Sequence, residues 1–201
     1  MISVYKLKPK FQQLLTPVLS SCYKLGMTAN TITWLAILLS IGTGVYCWVF
    51  PSNSCLIIIP FALLIRMALN AMDGMMARKY NMQSDSGEIL NELGDVISDF
   101  FMFAPLLILF EMNQYLLLLF LFLSIINEYT GILGKAISKV RRYEGPMGKS
   151  DRALVVSLIC LILFFAKGVL PYINYIFIII NFLLVLSTAV RIRNTLKSSQ
   201  E

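Results

Sequence analysis

The chain contains no histidine. That absence removes Ser-His triads, His-ligated zinc and imidazole acid–base chemistry. Cysteine is scarce: Cys22, Cys47, Cys55 and Cys160 are scattered, with no Cys-x-x-Cys pair to mark a zinc site or a redox motif. Only Cys47 and Cys55, either side of one short turn, are placed to meet. Charge is sparse too. Charged residues make up 14% of the 201 and hydrophobic ones 58%, which is too apolar for a soluble domain of this length. The opening stretch MISVYKLKPKFQQLL lacks the apolar core of a cleavable signal peptide, so none is expected. Chemistry in such a chain must rest on carboxylates, carboxamides, hydroxyls and bound metal.

What is present is a series of long apolar runs. A hydrocarbon core about 30 Å thick needs roughly 20 apolar residues per helical span. The sequence predicts six spans, near Thr31–Phe50, Cys55–Met72, Val96–Phe110, Tyr115–Gly134, Ala153–Leu170 and Tyr172–Val190. Helices are the expected form, because lipid cannot satisfy open backbone groups. Before them, Phe11, Leu14, Leu15, Val18, Leu19 and Cys22 share one helical face opposite Lys10, Gln13, Ser20, Ser21 and Lys24. This reads as an amphipathic helix on the membrane surface, kinked at Pro17 and stopped by Gly26. Thr28 or Asn30 is the expected N-cap of the first span. The expected fold is therefore all-α: an integral membrane bundle of six transmembrane helices with an amino-terminal amphipathic juxtamembrane helix over residues 1–27. No linker or repeat divides residues 1–201, so one domain is expected.

Basic residues set the expected orientation. With six spans both termini share a side, and that side carries Lys6, Lys8, Lys10, Lys24, Arg78, Lys79, Lys135, Lys139, Arg141, Arg142, Lys149, Arg152, Arg191, Arg193 and Lys197. The opposite side carries Lys167. Positive residues favour the cytoplasm, so both termini are expected there, in the inner membrane of the cell. A basic face of this kind suits anionic headgroups or phosphorylated substrates; nucleic acid is not an expected partner.

The polar residues concentrate in NAMDGMMARKYNMQSDSGEILNELGD, Asn70 to Asp95. Asn70, Asp73 and Ala77 lie three and four residues apart on one face of the second span, and Arg66 extends that face one turn deeper. Gly87, Asn91 and Asp95 lie four apart at the start of the third. A short connection makes the two helices antiparallel neighbours, and their oxygen-bearing faces meet near the cytoplasmic boundary. Gly74 and Gly87 leave room for a ligand to approach the backbone. Buried carboxylates without a cation would protonate or destabilise the fold. Hard oxygen donors from Asp and Asn suit Mg²⁺, Mn²⁺ or Ca²⁺, so the stretch points to a metal–phosphate site beside lipid.

These residues resemble the CDP-alcohol phosphatidyltransferase family. Its motif is Asp, two residues, Asp-Gly, two residues, Ala-Arg, eight residues, Gly, three residues, Asp, three residues, Asp. Asp73, Gly74, Ala77, Arg78, Gly87 and Asp95 stand at the matching positions, six of eight. The first and third acids are Asn70 and Asn91 here. TANTIT resembles the family's Pro-Asn-x-x-Thr segment with Ala29 in place of Pro, and GKSDRA resembles its Gly-x-x-x-Arg segment. The resemblance implies a transferase of phospholipid biosynthesis that moves a phosphatidyl group from a CDP-alcohol such as CDP-diacylglycerol to an alcohol acceptor, releasing CMP. It implies Mg²⁺ or Mn²⁺, one or two ions, held by Asp73, Asp95, Asn70 and Asn91. It makes Asp95 the catalytic base and places Asp73, Gly74, Ala77, Arg78 and Gly87 around the donor nucleotide. It also implies homodimers. Asn ligates through its carbonyl oxygen but brings no charge. The expected outcomes are a site with one ion weakened or lost, substitution by Glu88, Glu92 or Asp99, or loss of catalysis.

The remaining charged residues divide between function and support. Arg66 lies inside a span, where charge is costly and usually functional; it is expected to meet substrate phosphate or to pair with Asp73 or Glu128. Arg142, Lys149 and Arg152, like Arg66, are candidates for an acceptor or lipid phosphate, with membrane anchoring as the alternative. Glu128 and Asn127 are expected to join helices or line a pocket. Asp151 or Ser150 is expected to cap the fifth span. Two rivals stand beside the enzyme: a catalytically inactive relative that binds CDP-lipid as a scaffold, and a small polytopic transporter using Arg66, Asp73 and Glu128 as a polar path.

Overall fold

The computed structural model describes residues 8–198, and every regular element among them is helical. The expectations placed on residues 1–7, Lys6 among them, and on the side chains of Lys8, Lys10 and Lys167 lie outside the described residues. Helix α1 (Lys8–Lys24) includes Pro17 and ends at Gly26, whose φ of +79° suits a residue without a Cβ. Its Leu19 is buried with Ala29, Ile32, Met72 and Met76, and Tyr23 stacks on Tyr80 at 3.6 Å between ring centroids. The outer part of its apolar face stays open at Leu14 and Val18. The helix thus docks on the bundle through one edge of that face and leaves the rest uncovered.

Helix α2 (Ala29–Val49) starts at Thr28, whose hydroxyl accepts the Thr31 N–H at 3.2 Å. Helix α3 (Cys55–Lys79) and helix α4 (Asp85–Phe103) flank a tight turn in which Asn81 adopts φ +55°. Ser84 caps α4 by accepting the Gly87 N–H at 3.1 Å. A single turn, α5 (Leu106–Leu109), precedes α6 (Gln114–Ser138). The loop after Lys139 leads to α7 (Lys149–Phe165), a 3₁₀ turn at Lys167–Tyr172 and α8 (Ile173–Ser198). The N-cap of α7 is Gly148 rather than Asp151 or Ser150; Asp151, three residues into the helix, accepts the Gly148 N–H at 3.0 Å.

Helix α2 packs on α3 and α4, α3 packs on α7, and α6 packs on α8. The main core joins these pairs through Phe103, Phe120 and Phe177, with edge-to-face contact between the last two. The α2–α4 contact depends on Gly44, because a Cβ there would overlap the Phe101 carbonyl. Gly44→Ala is expected to destabilise the protein by about 1–3 kcal/mol through overpacking. Thermal unfolding in detergent checks this, and an unchanged midpoint would show that the two helices part freely.

Among the described residues, four helices are long and apolar enough to cross a membrane: Ala29–Val49, Cys55–Lys79, Gln114–Ser138 and Leu170–Ser198. The expected third and fifth spans do not qualify by themselves. Helix α4 carries Asp85, Glu88, Glu92, Asp95 and Asp99 along its length, and its apolar run is interrupted before Pro105. Helix α7 has 17 residues, about 26 Å at 1.5 Å per residue, before the chain turns through Pro171. Hydropathy joins apolar stretches across such breaks, whereas backbone geometry separates them.

Candidate functional site

Three helix ends converge on a cleft of about 440 Å³. The first turns of α2 supply Ala29, Asn30 and Thr33; the last turns of α3 supply Asp73, Gly74, Ala77 and Arg78; and α4 supplies Gly87, Glu88 and Asn91. Of the four residues expected to hold metal, Asp73 and Asn91 line this cleft, while Asn70 and Asp95 do not line it and bond each other. The approach is close at Gly87, where a Cβ would stand 2.7 Å from the Asn30 carboxamide oxygen and displace it. The Arg78 guanidinium lies beside Gly74 and has no ion-pair partner among the described residues.

Asp73 is 3% exposed. Its Oδ2 lies 3.0 Å from the Thr33 hydroxyl, which is positioned to donate to it, while its Oδ1 is buried with no hydrogen-bond partner. An unpartnered buried carboxylate oxygen is costly unless a cation completes it. Asn70 crosses to α4 and donates from Nδ2 to Asp95 Oδ1 at 3.0 Å. The Lys149 ammonium, from the first residue of α7, bonds the same Asp95 oxygen. Among the described residues no three of His, Cys, Asp or Glu gather as a metal site. The donor set is nevertheless all hard oxygen, and with the open Asp73 Oδ1 it fits Mg²⁺ or Mn²⁺.

A buried ion network lies below this cluster. Arg66 pairs with Asp99 at 2.5 Å and donates to the Asp95 carbonyl at 3.1 Å. It thus meets neither of the two acids expected for it. Arg152, fully buried, bonds Asp99 at 2.6 Å and Glu128 at 2.9 Å through one nitrogen. Glu128 also meets Arg141 at 3.0 Å and Arg191 at 3.8 Å. Glu92 grips Arg141 with both oxygens, at 2.7 and 2.8 Å. Glu88 pairs with Lys135. The three acids considered as substitutes for the missing carboxylates, Glu88, Glu92 and Asp99, are therefore each engaged by a cation.

Of the four residues considered for an acceptor phosphate, Arg66 and Arg152 sit inside this network and Lys149 reaches Asp95. Arg142 bonds Ser138, Ser198 and Glu144, tying the 139–148 loop to α6 and α8. Burial pushes the Glu144 carboxyl up, but backbone N–H bonds and the Arg142 guanidinium outweigh it and hold the group below the usual range. Sequence reasoning assigned no site role to Asn30 and Thr33, which line the cleft; their signal lay in TANTIT, whose helical spacing puts both on the α3–α4 side of α2.

A model of the CDP-alcohol phosphatidyltransferase family matches residues 26–189. The chain belongs to that family. The cleft and the whole Asn70–Asp95 stretch fall inside the matched region. The inner membrane protein YnbA of Escherichia coli (strain K12) is 42% identical over 200 residues, covering 100% of each chain. The crystal structure of Mycobacterium tuberculosis phosphatidylinositol phosphate synthase (PgsA1) with CDP-DAG bound superposes with a TM-score of 0.75. It is 20% identical and the match covers 91% of this chain and 94% of that one. The same synthase in complex with manganese and citrate gives a TM-score of 0.74 at 21% identity, covering 90% and 88%. These two neighbours establish the family fold for this chain.

Proposed function

We propose that the protein transfers a phosphatidyl, or substituted phosphate, group from a CDP-alcohol of the CDP-diacylglycerol type to an alcohol, releasing CMP. The observation that carries this reading is the buried Asp73 carboxylate with one unpartnered oxygen, in a cleft that Arg78 and Asn91 also line at a membrane helix end. Asp73, Asn70, Asn91 and Asp95 would hold Mg²⁺ or Mn²⁺, which supplies charge neutralisation for the diphosphate and the departing CMP. Arg78, free of an acid, takes a phosphate oxygen. Gly74 and Gly87 let the nucleotide lie against backbone. Asp95 accepts the acceptor hydroxyl proton as that oxygen bonds to phosphorus and the bond to CMP breaks. The lipid tails lie along the bundle while the diphosphate enters the cleft.

This reading places the protein in the inner membrane with six crossings, α4–α5 and α7 with its 3₁₀ turn completing the four apolar helices. The site then faces the cytoplasm with both termini, which the basic clusters at the ends of α3, α6 and α8 support. A second reading, CDP-lipid binding without turnover, is favoured by the Asn70 and Lys149 bonds that both engage the proposed base. The test is CMP release from CDP-diacylglycerol by detergent-purified protein with Mg²⁺ or Mn²⁺ and a pool of small alcohols. Release that EDTA abolishes is expected, and lipid mass spectrometry then identifies the acceptor. Binding of CDP-lipid without release supports the second reading; neither binding nor release returns the transporter to consideration.

A further inference from the structure

The two halves of the polar cluster differ in charge balance. On the α3 side, Asp73 presents a buried oxygen that nothing satisfies. On the α4 side, Asp95 Oδ1 already takes the Lys149 ammonium and the Asn70 amide, and Arg66 lies 3.9 Å from the same oxygen. A carboxylate facing two cationic groups and an amide donor has little left to offer a divalent ion. Lys149 is not a mobile surface lysine either. It opens α7, whose start is fixed by the Asp151 bond to the Gly148 N–H and whose Arg152 is locked between Asp99 and Glu128.

We infer that this site holds a single divalent cation on the Asp73 side, and that the Lys149 ammonium takes the place of a second cation at Asp95. The inference rests on the divalent-metal reading of the cleft given above and narrows it, taking Asp95 out of the ligand set. It also relates the carboxamides to the lysine. With Asn at 70 and 91, the cluster carries too little negative charge for two divalent ions, and one monovalent ammonium balances what remains at Asp95. Lys149 is in this view a positioning residue, since it fixes the Asp95 carboxylate.

Mn²⁺ titration of the detergent-purified full chain, followed by electron paramagnetic resonance and without any CDP-lipid, tests this. The wild type is expected to bind one Mn²⁺ per chain with no Mn–Mn spin coupling. Lys149→Met removes a repelling charge and frees Asp95, so it should bind Mn²⁺ on the order of tenfold more tightly. Lys149→Gln should do the same if the methionine variant does not fold, and Lys149→Arg, which keeps the charge, should match the wild type. Two coupled ions in the wild type, no bound ion, or equal affinity in the neutral variants would overturn the inference. The titration involves no turnover, so one bound ion without CMP release would leave it standing while the transfer reading fell. Two coupled ions with CMP release would do the reverse.

Discussion

Arg152→Met is expected to destabilise the protein by about 3–5 kcal/mol, the cost of removing one partner from a buried ion pair. The Arg152 guanidinium is fully buried and bridges α4 to α6, because a single nitrogen bonds both Asp99 and Glu128. Without it two carboxylates face each other in the bundle with Arg66, Arg141 and Arg191 as the remaining cations. Neutralising the pair at the same time, as Arg152→Met with Glu128→Gln, should recover part of the loss, since it is the uncompensated charge that is costly. Thermal unfolding in detergent reads both variants. A single variant within about 0.5 kcal/mol of wild type, the range of ordinary surface changes, would mean that Arg152 is free to serve substrate after all.

Asp95→Asn should lower the rate of CMP release by about 10²–10⁴-fold, the usual contribution of a positioned general base, with little change in unfolding temperature. The side chain is 20% exposed, and when an isosteric amide replaces it the buried Arg66 keeps its pair with Asp99. The amide still accepts the Lys149 and Asn70 bonds through its carbonyl oxygen. Asp73→Asn should be equally inactive for a different reason: it removes the carboxylate whose open oxygen is available to a cation. The two separate experimentally, because Asp73→Asn should lose Mn²⁺ binding and Asp95→Asn should largely keep it. Full activity in Asp95→Asn would remove the base from this residue. Retained Mn²⁺ affinity in Asp73→Asn would move the metal elsewhere in the cleft.

The ion network also bears on the transporter alternative. A polar path through a membrane requires groups that can exchange partners. Arg66 and Glu128, two of its three proposed stations, are held in short ion pairs that join four helices. Such a network rigidifies the bundle beneath the cleft, and a rigid floor is what a site for oriented phosphoryl transfer needs.

Much of this site is legible in the sequence, and for a local reason. Residues three and four apart share a helix face whatever the helix packs against. Spacing alone therefore sets Asn70 beside Asp73, and Gly87 in line with Asn91 and Asp95. The same holds for the Thr28 cap and the Gly26 stop, each decided within a few residues of chain. The family pattern supplies the roles of Asp73, Arg78 and Asp95 by resemblance. What only the tertiary structure decides are the pairings between helices distant in sequence: Arg66 with Asp99, Arg141 with Glu92 and Glu128, and Lys149 with Asp95. These depend on how each helix is rotated and how deep it sits, and several acids compete for each arginine. The breaks before Pro105 and at Pro171 belong to the same class, because hydropathy records how apolar a stretch is and not where its axis bends.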